Sequence, residues 1–129
     1  MKTVYTISLV LVWFILSPID LQAQGVASQP YRQYCFVELM PNDSIAFGEE
    51  EARSIQVRHM VNIRRMVEEK KLLLAGPFMD GGGLFILNTS QLDEARLWVD
   101  SDPAVMAGRF KYKIKLWITE KGLLSLESN

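Results

Sequence analysis

One cysteine and one histidine are all that the 129 residues hold of the two commonest zinc-binding side chains. They cannot build a four-ligand zinc site within one chain, and Cys35 has no partner for an internal disulfide. Basic charge is not in excess either. Fourteen Lys and Arg face fifteen Asp and Glu, a formal net charge of -1, so no basic field for nucleic acid is present. No P-loop, no GxGxxG and no GxSxG occurs. The triplet Gly81-Gly82-Gly83 is not a phosphate loop, because no helix opened by Lys-Ser or Lys-Thr follows it. What is present is a chain 49% hydrophobic and 22% charged, the composition of a folded globular protein.

The first 23 residues read as a signal peptide. Lys2 supplies the positive end, Val4 to Leu16 is uncharged and mostly apolar, and Pro18 breaks the run. The run has the length of a signal core and is short for a membrane span. Leu21-Gln22-Ala23 offers a small residue for cleavage, so the protein is expected to be exported, periplasmic or secreted, with no membrane association after cleavage. An uncleaved anchor is the alternative. The mature chain keeps about 106 residues, enough to fold alone without disulfides.

Residues 24–32 are polar and read as a tether to a domain over residues 33–120, with residues 121–129 as a tail. Tyr34 to Met40 has the aromatic and β-branched content of a strand. Glu49 to Lys70 reads as a long helix, acidic at its start and basic at its end as the helix dipole favours. At 100° per residue, Ala52, Ile55, His59, Ile63 and Met66 share one face, with Arg53 and Arg64 on others. Leu72–Ala75 and Leu84–Leu87 are short apolar strands, and the glycines between them allow an antiparallel hairpin. Ser90 and Asp93 resemble a capping box ahead of a helix over Leu92 to Asp100. Ser101-Asp102-Pro103 ends it, and Ala104 to Gly108 is a connector. From Phe110 to Ile118 apolar residues alternate with Lys111, Lys113, Lys115 and Trp117, a strand with a solvated face near an edge.

The order β-α-β-β-α-β predicts an α+β, ferredoxin-like fold: one antiparallel sheet with both helices on one face. Strands apolar on both faces ask for cover on both. A second copy of the sheet is the simplest cover, so a homodimer is expected.

Few residues are candidates for chemistry. His59 lies mid-way along the apolar face of the first helix, a poor place for an imidazole that does nothing. A carboxylate within hydrogen-bond reach would fix its tautomer and make it a general base. Asp80 sits in a turn bounded by Gly76-Pro77 and the glycines, where backbone N–H groups, those of Gly81 and Gly82 included, can approach a small ligand closely. Glu38, in the apolar strand Phe36 to Met40, could point into a cleft or be a paired structural carboxylate. Cys35, in an apolar run, reads as core. Equally open is the plainer alternative, a buried histidine satisfied by a backbone carbonyl and an ordinary turn aspartate.

The first-helix His59, the stretch LLLAGPFMDGGGLFIL (72–87) and the stretch SDPAVMAGRFKYKIKLW (101–117) together resemble the YCII-related family, a branch of the dimeric α+β barrel proteins. The resemblance spans residues 33 to 118 or so. It implies a dimeric α+β barrel and a His–Asp pair in the cleft between sheet and helices. The matching positions are His59 and Asp80, expected to hydrogen-bond each other as a catalytic pair. It further implies cofactor-independent acid/base chemistry, of the lyase or hydrolase kind, on a small molecule, with aromatic rings among the candidates. A non-catalytic ligand-binding or dimerisation module is the second reading.

Overall fold

The structure, a computed structural model, describes residues 30–124. The expected signal peptide at 1–23, residues 24–29 of the expected tether and residues 125–129 of the tail lie outside the described residues. The elements are β1 (Tyr31–Pro41), α1 (Glu49–Glu68), β2 (Leu72–Pro77), β3 (Gly83–Leu87), α2 (Leu92–Asp100), α3 (Pro103–Met106) and β4 (Phe110–Glu120). The sheet runs β2-β3-β1-β4, every neighbour antiparallel. This is the α+β, ferredoxin-like arrangement that the order of patterns predicts, with a short third helix added.

Both central strands alternate as the pleat requires. Cys35, Val37 and Leu39 of β1 and Phe85 and Leu87 of β3 point to the helices and are buried with Leu72, Met66, Ala95 and Val99. Phe36 and Glu38 point the other way, paired in register with Ile86 and Leu84 of β3 and with Lys115 and Lys113 of β4. Strand β2 keeps its phase only through a bulge between Leu72 and Leu74, which turns Leu72 to the core and Leu74 out, where it is 47% exposed. Strand β4 is an edge, and Lys111, Lys113 and Lys115 stand exposed along it, as the alternation predicts. Tyr31 and Arg32, expected in the tether, instead extend β1, because β4 runs on to Glu120 and gives them partners.

Helix α1 begins without a side-chain cap, and Glu49, Glu50 and Glu51 face its positive end instead. It stops in a Schellman arrangement: Lys71 N–H donates to the Met66 carbonyl at 2.9 Å and Lys70 N–H to that of Val67 at 3.0 Å. Its inward face carries Ile55, His59 and Met66 buried, and Ala52 and Ile63 half-buried, as the periodicity predicts. Asn62, one turn from His59, is buried with them. Arg53 and Arg64 are exposed.

Two local expectations change. The Ser90–Asp93 capping box does not form. Thr89 Oγ1 takes the role, accepting from Gln91 N–H at 3.0 Å and donating to the Glu94 carboxylate. The segment after Asp102 is not a plain connector: Pro103–Met106 forms a turn of helix with Asp102 as its cap and proline at the first helical position.

Candidate active site

His59 and Asp102 form the only buried ion-pair geometry among the described residues. The imidazole Nδ1 lies 2.8 Å from Asp102 Oδ1 and 2.9 Å from Oδ2. His59 is 6% exposed and Asp102 0%. The carboxylate takes further bonds. Asn62 Nδ2 donates to Oδ2 at 2.8 Å, and the Ala104 backbone N–H donates to Oδ1 at 2.9 Å. Asn62 is itself held, its Oδ1 accepting from Arg65 Nη2 at 2.7 Å. Each element contributes for a local reason. Helix α1 places His59 and Asn62 on one face, one turn apart, and the cap of α3 needs an acceptor facing its first N–H groups.

Burial alone pushes the Asp102 carboxyl up. The hydrogen bond from His59, the attraction of its ring when protonated, and the Asn62 and Ala104 donors more than offset this, so the group is held below the usual carboxylate range. An ionised carboxylate only accepts. The network therefore assigns the Nδ1 proton to His59 and leaves the lone pair of the neutral ring on Nε2. Nε2 has no partner among the described residues, none of whose fully buried side-chain polar atoms is unsatisfied, so this nitrogen is on the accessible side of the ring.

That side is a cavity of about 710 Å³ between α1 and the sheet. Its wall is mainly apolar, with Phe47, Phe78, Phe85 and Phe110 prominent, and its polar groups are few: His59, Gln56, Asn42, Asp43 and Arg109. The imidazole lies 6.0 Å from the Phe85 ring, roughly parallel to it, and 5.7 Å from the Phe110 ring. A space this size suits a small organic molecule, and apolar walls with few polar groups fix its orientation.

The hydrogen bond expected between Asp80 and His59 is not made. Asp80 is exposed in the turn between β2 and β3 and does not line the cavity. The turn closes through Gly81 N–H to the Phe78 carbonyl and Phe78 N–H to that of Gly82, both 3.2 Å, which leaves Asp80 outside. The Nδ1 position is already filled by Asp102. Glu38 is on the opposite sheet face from the cavity, because its neighbours Val37 and Leu39 are the inward residues. Gly81 and Gly82 do line the cavity. Gly82 has φ +73°, and a Cβ there would collide with the Leu39 carbonyl oxygen, so close packing of the turn on β1 already accounts for glycine. Cys35 is core, and burial, with Glu94 adding to it, pushes its thiol up and away from nucleophilic use.

Asp102 and Asn62 are the residues that sequence reasoning missed. Both left a trace. Asp-Pro is a helix-start signature, and an asparagine three residues from a histidine, on the same inward face, is a sign of a buried polar network.

The model of the YCII-related domain matches residues 33–118. The chain belongs to the YCII-related family. It is 34% identical over 64 residues to the uncharacterized protein YjpA of Bacillus subtilis (strain 168), an overlap of 49% of this chain and 75% of that protein. Among solved structures it is similar to 5-chloro-2-hydroxyhydroquinone dehydrochlorinase (TftG) from Burkholderia phenoliruptrix AC1100, in complex with 2,5-dihydroxybenzoquinone. That match has a TM-score of 0.49 and 19% identity, covering 65% of this chain and 92% of the other.

Proposed function

We propose that this protein is a small acid/base enzyme, independent of a cofactor, in which His59 exchanges a proton with a small and largely apolar substrate. The observation that carries the reading is the two-sided environment of one imidazole. Its Nδ1 is bound to a buried, ionised Asp102, while its Nε2 side belongs to an apolar cavity. In this role Nε2 takes a proton from an acidic C–H or O–H of the substrate. The imidazolium that forms is stabilised by Asp102, which orients the ring and itself keeps no proton. In an elimination, the C–H electron pair becomes the new double bond as the leaving group departs with its own pair. The proton on Nε2 then passes to the leaving group or to water. Phe85 and Phe110 beside the ring favour a flat substrate.

The test is proton exchange. A panel of small aromatic and halogenated hydroxyaryl compounds is incubated with the protein in D2O and followed by NMR. Wild-type protein is expected to catalyse deuterium incorporation or loss of halide from at least one compound, and His59→Gln to abolish it. Activity that survives His59→Gln sinks the reading.

The same proposal includes a homodimer formed by the sheet face that the helices leave free. The half-buried Phe36 and Leu84 and the exposed Leu74 lie on it around Ile86, which is already buried among them, and a second copy would cover what they leave open. Sedimentation measurements on wild type and Leu74→Lys check it, with weaker association expected for the variant. Export through residues 1–23 is also proposed; N-terminal sequencing of the protein from its host, starting at Gln24, is the expected outcome.

A further inference from the structure

Arg109 is the cavity's one arginine, and it has no ion-pair partner among the described residues. The guanidinium carries five N–H donors in a fixed fork. One of them is used: Nη1 donates to the Ala52 carbonyl of α1 at 3.0 Å. The group lies over the Phe110 ring, Cζ 5.6 Å from its centre. The His59 ring lies 5.7 Å from the centre of the same phenyl group. A fixed cation and the His59 base therefore flank one aromatic ring at the wall of one cavity.

The backbone of Arg109 is pinned on both sides. Its N–H donates to the Ala104 carbonyl and its carbonyl accepts from Asn42 N–H, each at 2.9 Å. Asn42 Nδ2 also donates to the Gly108 carbonyl at 2.8 Å. Segment 102–109 thus holds the orienting carboxylate at one end and the guanidinium at the other. Asp43, also at the cavity wall, is exposed and makes no ion pair with Arg109. A cation preorganised in an apolar cavity, with most of its donors free of protein acceptors, fits an anionic oxygen group on the bound molecule.

We propose that Arg109 determines substrate class: its guanidinium receives the carboxylate of a small aromatic acid whose reacting end lies at His59. This deepens the acid/base reading of His59 and rests on it for the direction of the substrate, but the binding preference is measurable without turnover.

The experiment compares 2-naphthoate with its neutral isostere 2-naphthamide by titration calorimetry, on wild type, Arg109→Gln, Arg109→Lys and His59→Gln. Wild type is expected to bind the carboxylate at least about tenfold more tightly than the amide, as charge-assisted bonds exceed neutral ones. Arg109→Gln should bring the two to parity. Arg109→Lys, which keeps the charge and a donor for Ala52 but loses the fork, should keep part of the preference. His59→Gln should keep it whole, which separates this proposal from the acid/base reading and from attraction to a protonated imidazole. Equal binding of both probes by wild type, binding of neither, or a preference that survives Arg109→Gln would overturn the assignment. Loss of the preference in His59→Gln alone would overturn it as well, by moving the anion site to the imidazole.

Discussion

Asp102 reaches His59 from the cap of a four-residue helix and serves both at once: Oδ1 accepts from the imidazole at 2.8 Å and from the Ala104 N–H at 2.9 Å. The carboxylate that starts α3 is thus the one that orients the ring. Its removal strands several buried donors, those of His59, Asn62 and the Ala104 backbone. Asp102→Ala should therefore cost about 3–5 kcal/mol, the scale of breaking a buried charge pair. Asp102→Asn should cost less but invert the ring tautomer, because an amide can donate to Nδ1. The expected result is a fall of about 10²–10⁴-fold in any His59-dependent rate with most of the stability kept. Urea unfolding of both variants checks the first statement and the exchange assay the second.

The same carboxylate gives stability a defined pH dependence. The folded state holds Asp102 below its unfolded value of about 3.9. The unfolded chain then binds the proton first, and stability falls as pH drops. The contribution is whole above pH 4 or so and is lost as pH falls through the lower, folded value. Unfolding free energies of wild type and Asp102→Asn, measured from pH 6 downward, should converge on the acid side. A constant difference between the two curves across that range would show that Asp102 is not held down by its partners.

The end of α1 offers a gain. Lys70 occupies the left-handed position of the Schellman turn with φ 58°, where a side chain is strained and glycine is usual. Lys70→Gly should raise stability by about 0.5–1 kcal/mol, the strain relieved less the added freedom of the unfolded chain. Lys70 does not line the cavity, so ligand binding should be unchanged. Thermal unfolding of the variant, with a melting point at or below that of wild type, would count against the reading of this turn.

Much of this was legible because it repeats. The long period of α1 set His59 inward, and the alternation of Phe110 to Ile118 set β4 with its lysines outward. Both signals run over many residues, so single exceptions such as Val57 and Val61 do not erase them. Asp102 was not legible in that way. Helix α3 is too short to show a period, and the contact between residues 59 and 102 depends on how α1 and α3 pack, which no local pattern encodes. Asp80 drew attention because its turn is conspicuous, yet the glycines that make it so are there to let the chain pass close to β1. Glu38 shows the limit from the other side: a strand residue's face is fixed by parity, and Val37 and Leu39 beside it had already assigned Glu38 to the far face.

The glycine turn gives the last prediction. Gly82 combines φ +73° with a position where any Cβ would run into the Leu39 carbonyl, while a Cβ at Gly83 would come within 2.6 Å of the Gly76 carbonyl oxygen. Neither obstacle is a flexible side-chain end; both are backbone of neighbouring strands. Gly82→Ala should therefore cost more than the backbone term alone, about 1–3 kcal/mol from conformation with the collision added. Relief would have to come from moving the Phe78–Gly82 turn away from β1. Phe78, Gly81 and Gly82 line the cavity, so that movement changes its wall. The expected outcome is a destabilised variant with weaker binding of any cavity ligand, and unaltered His59–Asp102 geometry. Equilibrium unfolding together with the imidazole proton resonance of His59 separates the two effects. Full stability in Gly82→Ala would show that the turn is free to move, and that its glycines serve the ligand instead of the fold.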